Sequence, residues 1–249
     1  MGYIGQWDRG RSQMNNKERY LFDLQGYLVV ENVLSAEQLE RMNRIVDEKR
    51  SLPEDPILGW GEDFRALIDD AKLNPYLNEI LGDKYRLDHE YAIIHRKGAP
   101  KLGLHGGGTP YDPGQYYTVR NNQIYSGLTV VSYALTDIGP DDGGFCCIPG
   151  SHKSSFPTPK EYRDYSDIGP TVHVPQKAGD VLIFTEALTH GTFPWQALHE
   201  RRSLLYKFTP AMISWAEYTR EQAVLDSLTD AQRERLLSPA STGYRYFGY

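Results

Sequence analysis

The stretch 127–148, GLTVVSYALTDIGPDDGGFCCI, decides the fold. It holds two runs rich in β-branched and aromatic residues, 127–135 and 144–148, on either side of a cluster of Gly, Pro and Asp. Each run has the length of a strand, and the cluster between them is turn chemistry, because Pro fixes φ and Gly reaches conformations other residues avoid. Working outward, the same signature recurs upstream at 87–95 and downstream at 171–174, 180–185 and 204–209. Short strands at such spacing predict a barrel or jelly roll rather than βαβ units. One long irregular stretch interrupts them, 106–126 (GGGTPYDPGQYYTVRNNQIYS), the kind of loop that carries function.

Helical signals flank this β region. Residues 22–33 (FDLQGYLVVENV) are strand-like, and Ser35 with Gln38 then forms a capping box that opens a helix through about Arg50, with Leu39, Met42 and Val46 as its buried stripe. Pro53 and Pro56 punctuate the next segment, and short helices are expected at 64–70 and 75–81. Near the end, Thr229 and Gln232 make a second capping box ahead of a helix over 233–237, before Pro239. The expected organisation is one domain over 1–249, with a helical part at about 15–84, a jelly-roll core at about 85–210 and a helical segment at about 211–249.

Composition narrows the function. At 249 residues and 28.4 kDa the chain suits one sizeable all-β domain. Net charge is −6, and the basic residues are scattered, so neither nucleic acid nor an anionic membrane is an expected partner; a small molecule is. No run of about 18–20 apolar residues spans a bilayer, and residues 1–12 have no apolar leader, which points to a cytoplasmic protein. The two cysteines, Cys146 and Cys147, are adjacent and would point to opposite faces of a strand as packing residues.

The chemistry lies in His105, in Leu-His-Gly-Gly-Gly, and His190, 85 positions later, succeeded after eleven more residues by Arg201. Two histidines and a carboxylate on one face of Fe(II) leave three positions for a bidentate 2-oxo acid and dioxygen. A guanidinium is suited to grip the distal carboxylate of 2-oxoglutarate, and an arginine inside an apolar strand is costly without an anion. Ser203 shares its strand face with Arg201 and could add a hydroxyl donor, while Arg202 points the other way. His89, His152, His173 and His199 are expected to be structural, and His95, near the barrel mouth, is open to either role.

Four segments, GYLVVENVLSAEQLERM (26–42), YALTDIGPDDGGFCCIPGSHKSSF (133–156), GDVLIFTEALTHGTFPW (179–195) and RRSLLYKF (201–208), together resemble the phytanoyl-CoA dioxygenase-like family of Fe(II)/2-oxoglutarate oxygenases. The resemblance spans about 22–210. It implies a double-stranded β-helix (jelly-roll, cupin-like) core and an oxidation in which 2-oxoglutarate loses carbon dioxide as dioxygen is activated. By position, His105 and His190 match the two metal-ligand histidines, Arg201 and Ser203 match the Arg-x-Ser co-substrate anchor, and Thr129 is a further candidate contact to 2-oxoglutarate.

The departure is His105-Gly106-Gly107 where the family has His-x-Asp. The vacated position could take chloride, as in the radical halogenases that resemble this chain in having Gly or Ala there. Another carboxylate or water could complete the site instead, either Glu186, which would share a strand face with His190 if the strand ran unbroken, or Asp112 on the loop after His105. The iron could rest on two histidines, 2-oxoglutarate and water, or the metal could be lost and the pocket kept for binding. Hydroxylation of a small molecule ranks first, halogenation second and a non-catalytic binding role third. The 106–126 loop is expected to lie over the metal, with Tyr111, Tyr116, Tyr117 and Tyr125 as walls and Arg120, Asn121 and Asn122 as polar groups. Trp195 is expected to pack rather than line the cavity.

Overall fold

The computed structural model describes residues 14–49, 56–108 and 110–240. Arg50, Pro53, residues 1–12 and the last nine residues of the expected C-terminal segment lie outside the described residues. In chain order the elements are α1 (Asn16–Gln25), β1 (Tyr27–Val30), α2 (Ala36–Lys49), α3 (Glu62–Ala66), α4 (Asn74–Leu81), β2 (Arg86–His95), β3 (Leu102–His105), β4 (Tyr117–Arg120), β5 (Gln123–Ser126), β6 (Thr129–Ala134), β7 (Gly144–Cys147), α5 (Lys160–Arg163), β8 (Val172–His173), β9 (Val181–Thr185), β10 (His190–Phe193), β11 (Arg201–Thr209), α6 (Gln222–Asp226) and α7 (Asp230–Glu234). Short 3₁₀ turns at Ile57–Trp60, Leu67–Asp69 and Ser151–Lys153 fill the gaps.

The strands form a jelly-roll sandwich of two antiparallel sheets, one in the order β1-β9-β6-β11-β2 and one in the order β3-β10-β7-β8. Alternation along the larger sheet gives it two apolar faces. Val130, Leu182, Phe184 and Leu205 meet Phe145 and Cys147 of the smaller sheet. Val131, Tyr133, Ile183, Leu204, Tyr206 and Phe208 point the other way, onto Phe22, Met42, Val46, Phe64 and Ile80 of the helical layer. Because strand side chains alternate, both layers are specified by one set of short strands, and each fully buried aliphatic side chain contributes about 1.5–3 kcal/mol. Cys146 and Cys147 do face opposite ways: Cys147 packs between the sheets, while the Cys146 sulfur lies 3.3 Å from the Tyr165 hydroxyl.

Three local differences from expectation have clear causes. Residues 22–25 are helical, not extended, because Asn15 and Glu18 form a capping box that starts α1, and Gly26, at φ 84°, ends it; the strand is 27–30. The 106–126 stretch contains a β-hairpin, β4–β5, turned by Asn121 and Asn122 at φ 50° and 61°. Asparagine tolerates the left-handed region that a two-residue hairpin turn needs. Finally, β11 starts at Arg201 rather than 204, which places the candidate anchor inside a regular strand. Among the described residues no helix is long and apolar enough to cross a membrane.

Candidate metal centre

β10 lies between β3 and β7 in the smaller sheet, and its first residue, His190, is the direct cross-strand partner of His105. Directly opposed side chains share a face, so the two imidazoles meet with ring centroids 4.3 Å apart. The third member comes from the link between the sheets. β9, in the larger sheet, ends at Thr185; the chain then crosses to β10 through residues 186–189, a turn tied by the Leu188 amide donating to the Thr185 carbonyl at 2.9 Å. This turn brings Glu186 Oε2 to 3.8 Å from His190 Nε2. One ligand-type atom from each of His105, Glu186 and His190 lies within 4.8 Å of the others. Glu186 thus reaches His190 through a turn, not by alternation along an unbroken strand.

The same turn explains the glycines. Gly106, Gly107 and Gly108 have φ of 78°, 63° and 75°, a region where a Cβ clashes with the backbone. A Cβ at Gly106 would sit 2.6 Å from the Glu186 carbonyl and 2.7 Å from that of Leu188, and one at Gly107 would collide with the Thr189 hydroxyl. The strand end carrying His105 therefore lies flat against the turn carrying Glu186. At position 107 the left-handed backbone and the Thr189 hydroxyl both oppose a side chain, and the carboxylate that faces the histidines comes from the opposite segment.

Both imidazoles are set for ligation by backbone carbonyls. His190 Nδ1 is 2.7 Å from the Leu188 carbonyl and His105 Nδ1 is 3.0 Å from that of Gly103. A carbonyl only accepts, so each Nδ1 carries the hydrogen and each Nε2 keeps a free lone pair. Burial pushes the pKa of His190 down to about 4, which holds it neutral. Burial would raise the Glu186 carboxyl, but neighbouring positive charge, that of the Lys207 ammonium once His190 is neutral, holds it below the usual carboxylate range. Lys207 Nζ lies 2.8 Å from Glu186 Oε1, and both side chains are largely shielded from water.

Arg201 and Ser203 occupy the same inward face of β11 as Leu205 and Lys207, with His95, Ile93, Tyr91 and His89 of β2 directly opposite them in turn. Arg201 is 3 % exposed and Ser203 1 %. The guanidinium Nε and Nη1 and the Ser203 hydroxyl have no hydrogen-bond partner in the protein. Burial lowers the Arg201 pKa to about 10, leaving the side chain charged. The guanidinium packs beside Gly144, three residues along β7 from Cys147, the partner of His190; that is about 10 Å of strand. A buried cation lacking an anion, beside a strand residue three positions from the partner of His190, fits a diacid that reaches from a metal to the arginine.

Other expected residues fall elsewhere. Thr129 lies at the opposite end of β6 from the position beside Arg201, and its hydroxyl is engaged with the Gly127 carbonyl at 3.1 Å and with Ser126 at 3.2 Å. Asp112 accepts from Trp215 Nε1 at 2.6 Å and from the Gly114 amide at 2.7 Å, outside the His105–Glu186–His190 cluster. Arg202 points away, pairing with Asp47 and Glu200. His152, His173 and His199 bond backbone carbonyls. Trp195 is buried and donates to the His199 carbonyl. His95, half-buried, sits across from Arg201.

The 106–126 loop does not cover the metal cluster as a whole. Its glycines touch the 186–189 turn, but its hairpin joins the helical layer, with Ile124 in that core and Tyr117 packed on Phe22 and donating to Asp23. Tyr125 bonds Gln123, Tyr111 is exposed, and Arg120, Asn121 and Asn122 stand in solvent at the hairpin tip. The aromatic rings against the cluster are instead Phe184 and Phe145, 4.7 and 5.9 Å from the His190 ring, while Tyr91 and Trp215 lie 5.6 and 5.8 Å from Lys207 Nζ, with His89 stacked on both. Lys207 was legible from the alternation 201, 203, 205, 207, which places a cation on the inward face. Trp215, in an irregular segment, gave no such signal.

The family model for phytanoyl-CoA dioxygenase (PhyH) matches residues 22–203. The chain belongs to the phytanoyl-CoA dioxygenase family. HygX from Streptomyces hygroscopicus with iron bound has a similar structure, at TM-score 0.71 and 26% identity over 87% of this chain and 95% of that one. HygX with nickel, 2-oxoglutarate and hygromycin B bound is similar at TM-score 0.71 and 26% identity over 84% and 93%. The carbocyclase SnoK from nogalamycin biosynthesis shares the fold at TM-score 0.63 and 16% identity, over 82% and 88% of the two chains. Comparison with curated proteins gave no match.

Proposed function

We propose that this protein is an Fe(II)/2-oxoglutarate-dependent oxygenase that hydroxylates a small molecule. His105, Glu186 and His190 would hold the iron, and Arg201 with Ser203 would take the distal carboxylate of 2-oxoglutarate. The observation that carries this reading is the unpartnered, buried guanidinium of Arg201, on the same face of β11 as the Lys207 that pairs with Glu186 of the His/Glu/His cluster. Iron and 2-oxoglutarate, when bound, supply the power to oxidise a C–H bond with dioxygen, releasing carbon dioxide.

The chain's residues do the positioning. Gly103 and Leu188 carbonyls orient the two imidazoles, and Lys207 holds the carboxylate. The apolar contacts of Phe145, Phe184 and Leu205 keep water from the interior between the sheets. The substrate would enter beside Tyr91 and Trp215, which are 38 % and 43 % exposed. The likeness to HygX with hygromycin B bound supports a polar small molecule as substrate. Chloride in the position vacated at Gly107 is disfavoured, because Glu186 places a carboxylate beside both histidines.

The test is an anaerobic titration of the native protein with Fe(II) and 2-oxoglutarate, monitoring the visible charge-transfer band with and without chloride. A band that chloride does not move, absent in His105→Ala and His190→Ala, is expected. A chloride-dependent shift would instead indicate a halogenase, and a folded protein with no band would indicate a binding protein.

A further inference from the structure

Glu186 has two oxygens, and the structure gives them different partners. Oε1 lies 2.8 Å from Lys207 Nζ, whereas Oε2 is turned to His190 Nε2 at 3.8 Å. A free carboxylate offers about four lone-pair sites and readily chelates a cation through both oxygens. At a centre that must keep three positions for a 2-oxo acid and dioxygen, a chelating glutamate would occupy one of them. Aspartate, one methylene shorter and rigidly placed, faces this hazard less than a glutamate on a turn.

We infer that Lys207 is a positioning residue that restricts Glu186 to one metal-facing oxygen and so keeps a position free for 2-oxoglutarate. This rests on the assignment of Glu186 as a metal ligand. Lys207 is itself well fixed. It lies on β11, directly across from His89 of β2, with its ammonium against the faces of Tyr91 and Trp215. An ammonium 2.8 Å from a shielded carboxylate oxygen is a close ion pair that water screens little. It also balances the buried negative charge, which is all that a purely structural role would require.

The experiment uses Co(II) as the metal, with the native protein, Lys207→Met, Lys207→Arg and Glu186→Gln. In Lys207→Met, 2-oxoglutarate should bind the Co(II) protein at least about 10-fold more weakly, the range expected when the partner of a metal ligand is removed. Its Co(II) d–d spectrum before 2-oxoglutarate is added should differ from native, reporting changed coordination. Lys207→Arg, which keeps the cation, should restore both. A native spectrum and native 2-oxoglutarate affinity in Lys207→Met would overturn the inference. So would a crystal structure of the native Co(II) protein with both Glu186 oxygens on the metal, a result that decides the matter even if Lys207→Met does not fold. The outcome is separable from the ligand assignment: Glu186→Gln with undiminished Co(II) affinity removes Glu186 as a ligand. Weakened Co(II) binding in Glu186→Gln beside native behaviour in Lys207→Met removes only the role of Lys207.

Discussion

Under the 186–189 turn, each charged or ligating group already has a counter-charge or a hydrogen bond from the protein: Glu186 is ion-paired with Lys207, His190 bonds the Leu188 carbonyl and His105 that of Gly103. Farther along β11, Arg201 and Ser203 are as deeply buried, yet Arg201 Nε and Nη1 and the Ser203 hydroxyl have none. The contrast separates two strategies of site construction. The end proposed to hold the metal is preorganised by the chain, so its geometry exists before anything binds. At the anchor end the protein tolerates the cost of an uncompensated cation, and a dicarboxylate would remove that cost on binding.

The largest effect is expected for Arg201→Met. Removing one partner of a buried charge pair costs about 2 kcal/mol or more, so 2-oxoglutarate affinity should fall at least ~30-fold by calorimetry. The protein without 2-oxoglutarate should become more stable, with Tm up by roughly 3 °C, because a buried unpaired cation has been replaced by an apolar chain. A lower Tm with retained 2-oxoglutarate binding would show that the anchor end is satisfied by the protein after all. Ser203→Ala should have the same pattern on a smaller scale. Loss of one hydrogen bond worth about 1 kcal/mol predicts roughly 5-fold weaker 2-oxoglutarate binding, with unliganded stability unchanged or slightly raised. The smallest effect is expected for Thr129→Val: its hydroxyl is already engaged far from Arg201, so 2-oxoglutarate affinity should stay native while Tm drops by a few degrees. A selective loss of 2-oxoglutarate binding in that variant would move the anchor to the other end of β6.

Much of this was legible in the sequence. Runs of β-branched residues broken by Gly, Pro and Asp pointed to the sandwich, since alternation is a local property that each run carries by itself. The capping boxes at Ser35 and Thr229 opened helices as expected because their signal lies within four residues. What was hidden depended on contacts between segments. Glu186 reaches the histidines through a turn whose course is set by the gap between two sheets, which strand periodicity does not encode. The glycines at 106 and 107 signalled a close approach, but their neighbours in space are about 80 residues away in the chain. Asn121-Asn122 was a usable hairpin signal, and with it the aromatic residues of that loop belong to the helical layer rather than to the cavity.

The turn 186–189 is the chain's passage from one sheet to the other, and it carries Glu186 and leads directly into His190, while His105 arrives on β3, an edge strand of the smaller sheet. A metal held there would act as a rivet through the sandwich, closing a loop of about 80 residues much as a cross-link would. Donor spacing is then tied to how far apart the sheets stand. Side chains that only set that spacing, such as Val174 and Leu182, are in effect tuning screws for metal affinity, and a change of volume between the sheets would register as a change in how tightly iron is kept.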